Sequence, residues 1–138
     1  DLDFAVWAYV FMPDHAHVII DPRRDDDDIA DIRKAIKAPV ARKAIAYLRK
    51  HAPQWLPRST RRRGNKTERL FWQSGGGYDR NIITRAALLS MIDYLHENPV
   101  RKGLVVRARD WKWSSAAWYV DLSQVPLIPD RIPFDWLE

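Results

Sequence analysis

The chain has 138 residues, 46% of them hydrophobic, with a formal net charge of +5 and no cysteine. That length and apolar share support one core and fall short of two, while the missing cysteines exclude disulfide scaffolds, thiolate zinc centres and cysteine nucleophiles together. No apolar run approaches a membrane span and no signal-peptide pattern opens the sequence, so a cytoplasmic protein with no membrane partner is expected, and the positive charge favours a polyanion.

Residues 4–11, FAVWAYVF, are rich in β-branched and aromatic types, and Met12-Pro13-Asp14 supplies a turn before a second apolar run from His15 to Ile20. This predicts a β-hairpin that begins almost at the first residue, so a missing N-terminal strand is part of the expectation. Asp25 to Asp28 suit a helix N-terminus, where carboxylates face the positive end of the macrodipole. Ile29, Ile32 and Ile36 share a helical face, and Val40, Ala44, Tyr47 and Leu48 resume it after Pro39. Two helices, or one helix kinked at the proline, should reach about Lys50.

Apolar periodicity disappears from His51 to Arg69, which predicts a long charged loop. A short strand over Leu70–Gln73, the turn Ser74-Gly75-Gly76-Gly77 and a partner over Tyr78–Ile83 form a second predicted hairpin. Thr84 is a good N-cap for a helix carrying Leu88, Met91, Ile92 and Leu95, which should stop near Asn98 because Pro99 disfavours the α conformation before it. Trp111, Trp113 and Trp118 follow, then a tail from 121 to 138 punctuated by Pro126, Pro129 and Pro133. Short hairpin-linked strands with helices between them predict an α+β fold, an antiparallel sheet with helices packed on one face.

Chemistry concentrates in two segments. In Asp14-His15-Ala16-His17, side chains two apart on a strand share a face, so both imidazoles can converge on one cation while Ala16, Val18 and Ile20 face the core. Taken alone, the pair reads first as two exposed strand histidines with no ligand. In Tyr94-Leu95-His96-Glu97-Asn98, a phenol and an amide stand at i and i+4 on one side of a helix. If that helix packs against the histidine-bearing sheet, His15, His17 and Asn98 can hold a divalent metal, Mg2+ or Mn2+, with Tyr94 beside it. His96 should project elsewhere and reads as structural or exposed, and the position of His51 after a helix end favours a partial positive charge.

Four stretches carry a resemblance. Met12-Pro13-Asp14-His15-Ala16-His17, the run from Phe71-Trp72-Gln73 to Tyr78-Asp79-Arg80, Tyr94 through Val105 including His96-Glu97-Asn98-Pro99, and Asp110-Trp111-Lys112-Trp113-Ser114-Ser115 together resemble the REP-associated tyrosine transposases, which are single-tyrosine HUH transposases. The match runs from about residue 4 to 119, in order and with family-like spacing. It implies an N-terminally truncated catalytic domain over 1–120, with a ferredoxin-like sheet and helices. It further implies a metal bound through His15 and His17, a nucleophile at Tyr94 and a third ligand at Asn98. Insertion-sequence relatives often carry glutamine at that position, and Glu97 is a plausible substitute; Ala16 is small where a bulkier apolar residue is usual.

The chemistry so implied is DNA cleavage and joining by a transposase. A free phenol titrates near pH 10 and is a poor nucleophile at neutrality, so position and charge must assist its attack on a phosphodiester. The product is a 5′-phosphotyrosine and a free 3′-OH. Single-stranded or hairpin DNA is the expected partner, taken up by a monomer or a homodimer. Expected phosphate contacts are Arg33, Lys34 and Lys37, then Arg58, Arg61, Arg62, Arg63, Lys66 and Arg69, and finally Arg101 and Lys102, each equally readable as part of a solvated basic face. A hydrolytic metal-dependent nuclease and a non-catalytic binder of DNA hairpins are the competing readings.

Overall fold

The computed structural model describes residues 1–73 and 77–138, and the fold is α+β. The chain divides into two compact units, essentially residues 3–25 with 80–138, and residues 26–79.

In the first unit, β1 (Phe4–Phe11) pairs antiparallel with β2 (Ala16–Pro22) across the predicted turn. Trp7 is an extra residue between the pairs Val6–Ile20 and Ala8–Ile19, and this bulge breaks strict alternation, so that Trp7 and Ala8 are both buried. The opposite edge of β1 is bonded too. The Phe11 N–H donates to the Trp113 carbonyl at 2.7 Å, the Ser115 N–H to the Tyr9 carbonyl at 3.0 Å, and the Asp130 N–H to the Val6 carbonyl at 2.7 Å. The Tyr9 N–H is taken by the Ser115 hydroxyl at 3.0 Å. With both edges satisfied, β1 is a central strand, which is why Ala5 and the run Trp7 to Val10 are almost wholly buried.

Thr84 caps α1 (Arg85–His96) by accepting the Ala87 N–H, as its position predicts. Leu88, Ile92 and Leu95 of this helix pack with Ala8, Val10 and Ile19 in the core. Within β2 it is Ile19 that is buried, and Ala16, Val18 and Ile20 are only half-buried, which reverses the expected inward face. Alternation puts His15 and His17 on the side of Ile19, so the histidines project from the helix-covered face. Pro99 does not end the helical path either. After Glu97 the chain makes one more turn, α2 (Asn98–Arg101), with the proline in its first turn, where the missing N–H has no partner to lose. The tail packs back through Ile132 in the core, Trp136 edge-on to Trp7 at 5.6 Å, and the Tyr9 hydroxyl, which donates to the Leu127 carbonyl at 2.8 Å.

In the second unit, α3 (Ile29–His51) is one helix that contains Pro39, and Asp28 caps it by accepting the Ala30 N–H at 2.8 Å. The Trp72 indole N–H donates to the Lys37 carbonyl at 2.9 Å, in the turn that Pro39 disturbs. The expected long loop instead contains a 3-10 turn over Pro53–Ser59 and an antiparallel pair, β3 (Thr60–Arg63) with β4 (Lys66–Arg69). Gly64 lies at φ 60° and Asn65 is not among the positive-φ residues, so the two-residue connection is a type II′ turn, which needs glycine first. No strand forms over Leu70–Gln73 or Tyr78–Ile83; the turn predicted between them falls partly on residues 74–76, outside the described residues. Among the described residues, no helix is long and apolar enough to cross a membrane.

Two outcomes follow from the first unit. Ser115→Ala strips a partner from the buried Tyr9 N–H and from His96, and is expected to lower stability by about 2 kcal/mol in urea unfolding; a loss below about 0.5 kcal/mol would contradict the role given to the hydroxyl. Burial pushes the Tyr119 phenol up to about 12. Between pH 10 and that value the unfolded chain releases a proton that the folded chain keeps, so stability falls as pH rises. With the residue 40% exposed, the loss is on the order of 1 kcal/mol. Unfolding midpoints at pH 9 and 11 should converge in Tyr119→Phe, and an unchanged gap counts against this assignment.

Candidate active site

His15 leaves the β1–β2 turn with its ring fixed at both nitrogens. Nδ1 lies 2.6 Å from Oδ1 of Asp14, and Nε2 lies 3.1 Å from Nδ2 of Asn98. A carboxylate can only accept and an amide nitrogen can only donate, so Nδ1 carries the proton and the lone pair of Nε2 faces Asn98. The bond from His15, with the positive charge it gains on protonation and that of Lys102, holds the Asp14 carboxyl below the usual carboxylate range. The His17 ring stands edge-on to His15 at 5.0 Å between centroids. Partial burial, then the charges of His15 and Arg101, lower the His17 imidazole, which favours its neutral form with a lone pair to give.

The helical segment brings Asn98 here because the chain turns at Glu97. Asn98 is 5% exposed and faces inward, Glu97 is exposed, and so the amide rather than the neighbouring carboxylate meets His15. Tyr94, one turn earlier, is 55% exposed. The Arg101 guanidinium carbon lies 3.9 Å from the centre of its ring, and Nη2 of Arg101 donates to the Tyr94 carbonyl at 2.7 Å. His96 points the other way, 7% exposed, with Nε2 at 2.7 Å from the Ser115 hydroxyl; burial lowers this imidazole to about 4, so it is neutral at neutral pH and structural.

The donor set at His15 is therefore two imidazoles and one amide. Among the described residues, no group of three or more His, Cys, Asp or Glu side chains is placed to hold a metal ion. The residues present nonetheless fit a divalent cation by their chemistry. Asp14 occupies the outer nitrogen of His15, as carboxylates do behind ligating histidines, and the inner lone pair is held only by an amide that presents its oxygen on turning over. Three neutral donors leave the remaining coordination positions to water or phosphate. Asp14 was not picked out by spacing, although its place immediately before His15 was the available signal.

The other basic residues are dispersed. Lys102 is exposed in the first unit. In the second unit, Arg33 pairs with Asp79, Lys37 lies 5.4 Å over the Trp72 ring, and Arg58 stacks on Trp55 at 4.7 Å. Arg61 pairs with Glu68 at 2.9 Å, Arg62 donates to the Gly64 carbonyl, and Arg69 reaches the Leu56 carbonyl and the Thr60 hydroxyl. Lys34, Arg63 and Lys66 are exposed. Lys37, Arg61, Arg69 and Trp72 line a cleft of about 270 Å³ in that unit.

Comparison with known proteins gives one relative to report, a Haemophilus influenzae protein named "Putative REP-associated tyrosine transposase", which is 30% identical over 116 residues. The alignment takes in 81% of this chain and 58% of that protein, so the chain spans little more than half the length of the relative it matches. No family model matches the sequence, and no solved structure matches the fold.

The geometry at His15 has a direct spectroscopic consequence. Nitrogen-detected imidazole correlations at neutral pH should show His15 with its proton on Nδ1, and Asp14→Ala should shift the balance toward the Nε2–H form; a wild-type ring protonated mainly on Nε2 would refute the arrangement.

Proposed function

We propose that the chain is a DNA strand transferase of the transposase type, in which Tyr94 attacks a phosphodiester of single-stranded or hairpin DNA beside a divalent cation, Mg2+ or Mn2+. His15, His17 and Asn98 would hold the ion. The observation that carries the reading is the meeting of the Asn98 amide with His15 Nε2 at 3.1 Å, across 83 positions of sequence and one helical turn from Tyr94. The likeness to the Haemophilus influenzae protein supports the same reading.

Held by these donors, such an ion would supply Lewis acidity toward the charge that accumulates on the phosphate during displacement. The chain's own groups supply the rest. Asp14 holds the His15 ring with its inner nitrogen unprotonated, and the lowered His17 imidazole stays neutral beside it. The Tyr94 oxygen forms a bond to phosphorus while the bond from phosphorus to the sugar 3′ oxygen breaks. The phenol gives up one proton and the departing 3′ oxygen takes one, so one ester replaces another and no water is consumed. The phosphodiester is thereby kept as a 5′-phosphotyrosine for joining to a second 3′-OH. Lys102 beside the site, and the exposed Lys34, Arg63 and Lys66 of the other unit, are suited to strand phosphates.

Incubation with Mn2+ and labelled single-stranded DNA carrying a hairpin is expected to give a denaturation-resistant adduct that Tyr94→Phe reduces to background. Cleavage that persists in Tyr94→Phe would replace this reading with a hydrolytic nuclease. Hairpin binding unaffected by chelator, with no cleavage, would replace it with a non-catalytic binder.

A further inference from the structure

We infer that Arg101 is a positioning residue for Tyr94, its guanidinium fixing the phenol in the orientation from which it reacts instead of anchoring a phosphate; the inference rests on the reading of Tyr94 as the nucleophile. Tyr94 is 55% exposed, and an exposed side chain ordinarily exchanges rotamers within picoseconds to nanoseconds. A nucleophile that does so spends much of its time away from the reacting phosphorus.

Arg101 makes two contacts with this one residue. Its Cζ lies 3.9 Å from the ring centroid, and its Nη2 donates to the Tyr94 carbonyl at 2.7 Å. The backbone contact sets where the guanidinium plane lies, and the plane then sets where the ring lies. The spacing depends on the break at Glu97, after which the Arg101 N–H donates to the Glu97 carbonyl at 2.9 Å and brings its side chain back over the preceding helix. A planar fork is required, because one edge must meet a carbonyl while the face covers a ring; an ammonium can do one or the other.

Positioning and phosphate anchoring separate cleanly in Arg101→Lys, which keeps the charge and loses the fork. Three quantities decide it: the single-turnover rate of adduct formation at saturating DNA, with Mn2+ and a fluorescent single-stranded DNA bearing one hairpin; the affinity for that DNA; and, without DNA, the 13C relaxation of the Tyr94 ring. A positioning role predicts a rate reduced roughly 10- to 100-fold, affinity within about threefold because the charge is retained, and a ring that becomes mobile in both Arg101→Lys and Arg101→Ala. Arg101 is exposed, so neither change empties the core. A wild-type rate with unaltered ring relaxation overturns the proposal, as does weakened affinity with the saturated rate preserved. If wild-type protein forms no adduct, the nucleophile reading fails, while the ring relaxation still reports whether Arg101 orders the phenol.

Discussion

The hydroxyl of Ser115 is shared between two elements far apart in the chain, taking the N–H of Tyr9 from β1 and standing 2.7 Å from Nε2 of His96 on α1. All three residues are at most 7% exposed, so water cannot substitute for either contact. The neutral state of His96 suits such a place, since burial disfavours an imidazolium there by more than the charge of Asp93 favours it. This junction sets how far the C-terminal end of α1 stands from the central strand. Asn98 lies two residues beyond His96, and His15 sits in the turn immediately before the partner strand of Tyr9, so the same junction bears on the distance between amide and imidazole.

From Asp14 through His15 to Asn98 the polar groups form a chain in which both ring nitrogens of His15 have a partner. On either side of the turn at Glu97 the side chains differ in burial, Asn98 facing inward and Tyr94 lying exposed. Charge in the second unit is organised differently. Much of its arginine content is held internally by Asp79, Glu68 and backbone carbonyls, which fixes the 60–69 hairpin and leaves Lys34, Arg63 and Lys66 facing solvent.

The first hairpin, both helix caps and the position of Tyr94 near a helix end were legible because each rests on local rules of turn and cap chemistry. The β3–β4 hairpin was not. Its strands contain only arginine, lysine, threonine and glutamate, with no apolar residue to alternate, and only Gly64-Asn65 marked the turn. Alternation along β2 correctly divided its side chains into two faces but cannot say which face a helix will cover, and Ile19 rather than Val18 and Ile20 meets α1. The cap of β1 by residues 113–115 was equally hidden, since two backbone bonds and a serine hydroxyl leave no periodic trace. The pairing of Asn98 with His15 lies between these cases: the residue types suggested it, and only the packing of α1 on the histidine side of the sheet brings it about.

The helical register of α1, from Arg85 to His96, also governs which changes of chain length the molecule can absorb. One residue added or removed there rotates everything downstream by about 100° and slides it by about 1.5 Å. A change ahead of Leu95 would take Leu95 out of the core and His96 away from Ser115, and would swing Tyr94 with them. A change of length along α1 is thus costly, whereas the irregular run from Gly103 to Arg107 can lengthen or shorten without disturbing the register before it.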